Sequence, residues 1–411
     1  LGKTLEYALG HYYIQGLSSM IPPIILNPAP DEITLDLCAA PGSKSSQIAD
    51  MMQNRGTLYV NEPDGNRIKG LVYNLEKMNF VNVGFLKQKG EFLSNIFPAF
   101  FDKILVDAPC TALGIMQKKG EVSNWWSSNH ALNLSELQYK LLVSAIKMLR
   151  TGGTLVYSTC SVSLEENEFV LNKILEKYPV EILEIELPVK SVSAITKTRE
   201  GKELNPEISR ARRIVPWEAD SEGFFIAKLS KTGDTDIKFS SPDKFKQTRG
   251  SYKSGHIENK PGFLQSSHKN IKMHLDELSA YYSINRELLD KLKYLIRDRD
   301  VYCLDAEFNT AGESFLYKSG SKFGSFDKNG LLRLHTLAAQ YLGEEIKSNT
   351  VDLEEENLKT YFEGGTIKGF SAERGQKVVR CRNYTLGTAA ATQEGLKSQF
   401  PRSLRTHEII L

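Results

Sequence analysis

Two short stretches join residue types suited to covalent chemistry. Asp107-Ala108-Pro109-Cys110 follows the apolar run Phe101–Val106, and Thr159-Cys160-Ser161 follows the run Thr154–Ser158. A thiolate is a strong nucleophile near neutral pH, and a neighbouring carboxylate can share a proton with a bound substrate. A lone cysteine is usually a small buried hydrophobe, but two of them at matching ends of apolar runs, one beside an Asp and a Pro, point to a site. A third stretch, Leu35-Asp36-Leu37-Cys38-Ala39-Ala40-Pro41-Gly42-Ser43-Lys44, carries a glycine where a strand hands over to a helix. Such a turn lets backbone approach a ligand, and the helix start offers free N–H groups. Glu62 lies twenty residues beyond Gly42, a separation at which an acid commonly holds the two hydroxyls of a ribose. Glycine turn and acid together suit a nucleotide-type cofactor. The competing reading is a purely structural turn.

These residues need a scaffold that brings their ends to one edge. The pattern predicts strands at Ile33–Leu37, Thr57–Val60, Phe101–Val106 and Thr154–Ser158, with a turn at 151–153 and a closing strand at Gly223–Leu229. Helices are predicted at Lys44–Met52, Arg67–Met78 and Leu132–Leu149. Strand and helix in alternation predict an α/β fold with a doubly wound, mainly parallel sheet, whose ligands sit at the carboxyl ends of the strands. Cys38, inside the first strand, reads as a packing residue by its side chain. Residues 231–262 are rich in Ser, Lys, Asp and Gly and read as a linker or exposed excursion. Helical periodicity returns at Met273–Leu295, followed by short strand-like runs at Val301–Leu304, Ser314–Tyr317 and Gln376–Cys381. The expected division is therefore 1–230, 231–262 and 263–411.

With 411 residues, 41% hydrophobic and 25% charged, the composition excludes a collagen-like, low-complexity or largely disordered chain. No apolar run reaches the length of a bilayer span, so a membrane partner is not expected. Five widely spaced cysteines with no C-x-x-C pair argue against a disulfide framework and against a zinc site, and suit a reducing cytoplasm. The chain opens at Leu1 with neither an initiator Met nor a signal sequence, which reads as a trimmed or incomplete N-terminus. Net charge is only +2, yet Gly364–His407 holds eight Lys/Arg against two Glu. That basic stretch suits a polyanionic partner, the alternative being a merely solvated surface.

Asp36–Lys44, Asp107–Cys110 and Gly153–Ser161 together resemble the signature of the Sun-type RNA cytosine-5 methyltransferases. Gly10–Gln15, Ser18–Pro23 and Asp220–Lys228 are similar as well, and Gly395–Arg402 resembles the end of the PUA-like domain in the bacterial branch acting on small-subunit (16S) ribosomal RNA. The resemblance implies a Rossmann-like class I methyltransferase sheet with a smaller C-terminal α+β PUA-like RNA-binding region, and S-adenosyl-L-methionine as cofactor. It implies Cys160 as the nucleophile toward cytosine C6, Cys110 as the residue assisting product release, and Asp107 as the contact to the base. It implies a cofactor site lined by Cys38, Ala39, Ala40, Pro41, Gly42, Ser43, Lys44 and Asp107, with Glu62 on the ribose. Arg67, five residues after Glu62, matches the family too, although a helix-surface pair would explain it. One departure stands out. Where the family usually carries an adenine-binding Asp, Lys87-Gln88-Lys89-Gly90 puts Lys89, which cannot accept a hydrogen bond.

On the substrate side the target base must leave its stack, which costs least in loops and single strands. Trp125, with Trp126, and Lys118 and Lys119 are candidate RNA contacts near the Cys110 loop; Arg380, Arg382, Lys397 and Arg402 are candidates in the basic tail. Core packing of the tryptophans and solvated lysines are the plain alternatives. The expected function is formation of 5-methylcytosine in 16S ribosomal RNA or the small ribosomal subunit. Transfer RNA is the second substrate class, and an RNA-binding assembly factor with weakened methylation is a reading motivated by Lys89. A small-molecule methyltransferase needs neither cysteine nor a basic appendage.

Overall fold

The computed structural model describes residues 1–115, 128–219, 221–235, 262–370, 373–406 and 408–409. A short N-terminal helix α1 (Leu5–Ala8) and helix α2 (Leu17–Leu26) lead into the alternating core: β1 (Ile33–Asp36), α3 (Ser43–Met51), β2 (Thr57–Asn61), α4 (Arg67–Lys77), β3 (Val83–Leu86) and β4 (Phe101–Asp107). Helix α5 (Ser128–Met148) runs directly into β5 (Leu149–Thr159), followed by α6 (Glu168–Leu175), β6 (Val180–Leu183), β7 (Val192–Ser193), β8 (Arg212–Ile214), the turn of helix α7 (Pro216–Ala219) and β9 (Phe224–Lys231).

Strands β3, β2, β1, β4 and β5 lie side by side in that order, all parallel, with Leu35 between Tyr59 on β2 and Ile104 on β4. Their residues are almost wholly buried because helices cover both faces, the setting in which apolar runs need not alternate with polar residues. Each fully buried Leu, Ile or Val there contributes roughly 1.5–3 kcal/mol relative to exposure. The order of connection reverses between β1 and β4. The crevice past their carboxyl ends is where doubly wound sheets bind ligands. Antiparallel strands β9, β8 and β7 extend the sheet beyond β5. The expected turn at 151–153 is present as a bulge within β5: Gly152 sits at φ +81, and the pairing with β4 steps from Leu149 opposite Phe101 to Thr154 opposite Lys103.

The second half has two further sheets. One comprises β10 (Leu264–Gln265), β11 (Leu292–Arg297), β12 (Asp300–Asp305), β14 (Ser321–Phe326) and β15 (Leu332–Leu334). Helices α8 (Lys269–Tyr282) and α9 (Arg286–Asp290) precede β11, so the stretch expected to be helical through Leu295 breaks at the left-handed Ser283 and ends in a strand. Between β12 and β14, strand β13 (Leu316–Ser319) leaves this sheet and pairs antiparallel with β3, Leu316 opposite Leu86 and Ser319 opposite Gly84. Phe308 packs against Tyr59 in the first core, and the Tyr59 hydroxyl donates to Asn309 O at 2.7 Å. The third sheet follows helix α10 (Thr336–Leu342). It is built from β16 (Thr350–Asp352), β17 (Thr366–Ile367) after helix α11 (Leu358–Phe362), β18 (Gly375–Cys381), β19 (Tyr384–Thr392) and β20 (Gly395–Ser398), around Val379, Leu386, Leu396 and Phe400. Among the described residues no helix is long and apolar enough to cross a membrane.

Candidate active site

The chain leaves β1 through Leu37–Gly42, a turn fixed by backbone hydrogen bonds from Ala39 N to Asn61 O and from Gly42 N to Ala39 O. Gly42 sits at φ +110, and a Cβ there would lie 3.2 Å from Leu71 Cδ1, so both conformation and space call for glycine. Side chains hold the turn from outside: Asn61 Nδ2 donates to Leu37 O, Asn74 Nδ2 to Pro41 O and Arg67 to Ala40 O. Cys38 lies just past the strand rather than within it, and burial pushes its thiol well above the ordinary range. The first turn of α3 then presents Ser43 and Lys44. Asp36, at the end of β1, is fully buried. Ser45 Oγ donates to its Oδ2 at 2.7 Å, while Oδ1 has no protein partner. Desolvation raises its carboxyl to about 7, with the Ser45 hydrogen bond opposing and Asp107 adding to the rise.

Glu62 follows β2 directly and is nearly buried. Its Oε1 accepts from Asp64 N at 2.9 Å and its Oε2 lies 3.1 Å from the Arg67 guanidinium, so the pair suggested by spacing is formed. Arg67 thereby connects the acid to the Ala40 carbonyl. Past β3, Lys89 is exposed, while Lys87 lies with its ammonium 5.8 Å from the Tyr317 ring on β13.

Asp107 ends β4. Its Oδ2 is 2.7 Å from Lys44 Nζ, and its Oδ1 accepts from Ser158 Oγ at 2.7 Å. Lys44 is therefore not a solvated first-turn lysine: it is largely buried, donates to Ser19 Oγ at 2.9 Å, and lies 5.6 Å from the centre of the Phe224 ring. Burial alone would lower its pKa, but the Asp107 carboxylate, with Asp36 and Cys160 nearby, outweighs burial and holds the ammonium above its ordinary value.

Cys110 and Cys160 project from adjacent strand ends with their sulfurs 3.0 Å apart, and neither is sealed in the core. The hydrogen bond to Cys160, together with burial, pushes the Cys110 thiol well above the usual range. At neutral pH Cys110 thus holds its proton. Gly114 N donates to Cys160 O, and Gly223 N to Gly114 O, each at 2.8 Å. A Cβ on Gly114 would sit 2.1 Å from Gly223 O, so only glycine lets these three backbones stack.

Sequence reasoning did not single out Ser19, Asp36, Ser158, Phe224 or the buried Glu166, which bonds to the residues following both thiols. Trp125, Trp126, Lys118 and Lys119 lie outside the described residues. Lys397 on β20 and Arg402 in the turn beyond it are exposed. Arg382 is exposed and ion-paired with Glu355, whereas the half-buried Arg380 turns its guanidinium to the carbonyls of Gly343 and Ile346.

A family model described as 16S rRNA methyltransferase RsmB/F matches residues 23–230, and one described as the methyltransferase RsmF PUA domain matches residues 348–406. The chain is 31% identical over 411 residues to a ribosomal RNA small subunit methyltransferase F of Vibrio atlanticus, covering 98% of this chain and 81% of that protein. It is 36% identical over 230 residues to a tRNA (cytosine(49)-C(5))-methyltransferase of Pyrococcus abyssi, covering 56% of this chain and 73% of that one. Among solved structures, a methyltransferase homolog from Pyrococcus horikoshii shares 38% identity at a TM-score of 0.50, covering 56% of this chain and 70% of that chain.

Proposed function

The chain belongs to the 16S rRNA methyltransferase RsmB/F family of S-adenosylmethionine-dependent enzymes, and from that premise we propose that it forms 5-methylcytosine in 16S ribosomal RNA through a covalent Cys160–cytosine adduct. The observation that carries this reading is the pair of thiols 3.0 Å apart beside the Lys44–Asp107 ion pair. A relative named for small-subunit RNA aligns over nearly the whole chain, whereas the relative named for transfer RNA aligns over just over half, which favours the ribosomal substrate. The proposed division of labour is chemistry in 1–230 and RNA binding in 263–411, joined by 231–262, with residues 304–319 serving the first unit by packing into its core. A cytoplasmic setting and the absence of any metal in the reaction belong to the same proposal.

The residues at the ends of β1 and β2 fit S-adenosylmethionine. Asp36 Oδ1 is a buried acceptor lacking a protein donor, suited to a cationic group, and Glu62 keeps lone pairs for ribose hydroxyls. Cys38–Lys44, Glu62 and Asp107 would hold the cofactor, and Lys89 leaves the adenine edge without a carboxylate. When bound, the cofactor supplies an electrophilic methyl group.

Carbon 5 of cytosine is a poor nucleophile while the ring is aromatic. A new bond from Cys160 Sγ to C6 breaks that aromaticity and makes C5 enamine-like, dividing one difficult step into easier ones. Negative charge then develops toward N3, where a proton shared through Asp107 and the positive charge of its partner Lys44 offer partly desolvated stabilisation. After methylation the C5 proton passes to solvent water, and the electrons of that bond expel the Cys160 sulfur from C6. Cys110, held protonated against Cys160, is the thiol within reach of that departing sulfur. Tritium transfer from labelled S-adenosylmethionine to purified 16S ribosomal RNA, small subunits and transfer RNA tests the substrate. Label in transfer RNA alone overturns the ribosomal reading. Absence of cofactor binding by calorimetry at millimolar concentration would favour an assembly factor.

A further inference from the structure

Glu166 lies in the segment Ser163–Asn167 between β5 and α6 and is fully buried. Its Oε1 accepts from Thr111 N at 2.8 Å and Gln138 Nε2 at 3.1 Å; its Oε2 accepts from the hydroxyls of Thr111, Ser161 and Ser163. Thr111 follows Cys110 and Ser161 follows Cys160. Gln138, on α5, donates also to Pro109 O, the residue before Cys110, at 2.9 Å. The Tyr157 hydroxyl donates to the Glu166 carbonyl, anchoring the segment to β5. One carboxylate therefore ties together both loops that carry the thiols, at the residue next to each sulfur.

We propose that Glu166 is the positioning residue of the thiol pair, fixing the loops after β4 and β5 to a common point so that Cys110 and Cys160 stay within one hydrogen bond. Burying a carboxylate is costly, and an apolar contact could join two loops with less penalty. Five donors on one carboxylate do what an apolar contact cannot: they set distance and direction for both loops. An ångström of drift between reacting groups costs about a hundredfold in rate. Glu166 is screened from solvent and touches neither sulfur, so its effect passes through Thr111 and Ser161.

The inference takes Cys110 and Cys160 as a working pair, but its test does not depend on methylation. Phenylarsine oxide reports two thiols in close register: two As–S bonds replace the As=O bond, and both thiol protons leave with the oxygen as water. The wild-type chain is expected to bind one equivalent, lost in C110S and in C160S. In E166A the affinity should fall by at least about tenfold as the chelate is loosened, with the melting transition still cooperative. In E166Q it should stay near wild type, because the amide oxygen keeps Thr111 N and Gln138 while the amide N–H groups donate to the Thr111 and Ser161 hydroxyls, which can turn to accept. If E166A fails to fold, the double variant T111V/S161A removes the two hydroxyl links alone and should weaken arsenical binding in the same way. Wild-type affinity in folded E166A or in T111V/S161A overturns the proposal, as does an equal loss in E166Q and E166A. For methylation, kcat in E166A should fall about a hundredfold while KM for RNA and cofactor holds; a change confined to KM also overturns it. A wild-type protein that binds the arsenical but methylates no RNA defeats the functional reading and leaves the positioning role standing.

Discussion

The ammonium of Lys44, from the first turn of α3, and the carboxylate of Asp107, from the end of β4, meet at 2.7 Å across the opening between the two strands. The pair makes Asp107 a fixed charge at the mouth of the crevice and leaves Lys44 no other anionic partner closer. Lys44→Met should lower kcat by about 10²–10³, since it removes preorganised charge beside the base. It should also destabilise the protein by about 1–3 kcal/mol, because Asp107 is left without its charged donor. Lys44 is held above its ordinary value, so this contribution is complete below about pH 10 and lost only as pH rises past it. Denaturant titrations at pH 6, 8 and 11 check this: a deficit of unchanged size at pH 11 contradicts the pairing.

Asp36 acts in the same direction over a lower pH range. Its carboxyl, raised to about 7, binds a proton in the native state that the unfolded chain releases near pH 4, so stability falls as pH rises between those values. Asp36→Asn removes that fall and keeps the hydrogen bond from Ser45. Its melting temperature should match wild type near pH 4 and exceed it by on the order of a few degrees at pH 8. Calorimetric cofactor affinity should drop in the same variant.

The two thiols should separate by variant on a denaturing gel with substrate RNA and S-adenosylmethionine. Cys160→Ala abolishes both methylation and adduct. Cys110→Ala leaves RNA covalently attached, because the protonated partner 3.0 Å from Cys160 is gone when the adduct must break. An adduct that survives Cys160→Ala and vanishes in Cys110→Ala reverses the assignment.

Salt dependence of RNA affinity should distinguish presented cations from structural ones. Lys397→Ala and Arg402→Ala are each expected to reduce the log–log salt slope by about 1. Arg380→Ala should leave the slope unchanged and lower the melting temperature, since its guanidinium holds the carbonyls of Gly343 and Ile346. Removing residues 364–411 wholesale is not a clean test, because it deletes β17 to β20 and with them Val379, Leu396 and Phe400 from the core of the third sheet.

The parallel strands and the residues at their ends were legible from sequence because apolar runs and turn residues are local signals. Glu166 was not. Glu165-Glu166-Asn167-Glu168 ahead of an apolar run reads as a solvated helix start, and only the packing of the β4 and β5 exits buries Glu166 among donors. Glu168 is hidden for the same reason, by Arg213 from the distant β8. Ser158 and Ser19 carry no signal of their own, since a serine acquires its role from whatever tertiary contact brings near it. Basic residues clustered along the tail suggested one surface. The strand geometry instead turned Arg380 inward while Lys397 remained exposed.

The graft of Leu316–Ser319 onto β3, reinforced by Phe308 inside the first core, makes the two halves of the molecule one mechanical object rather than beads on a string. Severing the backbone between residues 235 and 262 would therefore leave the fragments interlocked, and an RNA gripped at the far end would meet the thiols at a span dictated by the body itself.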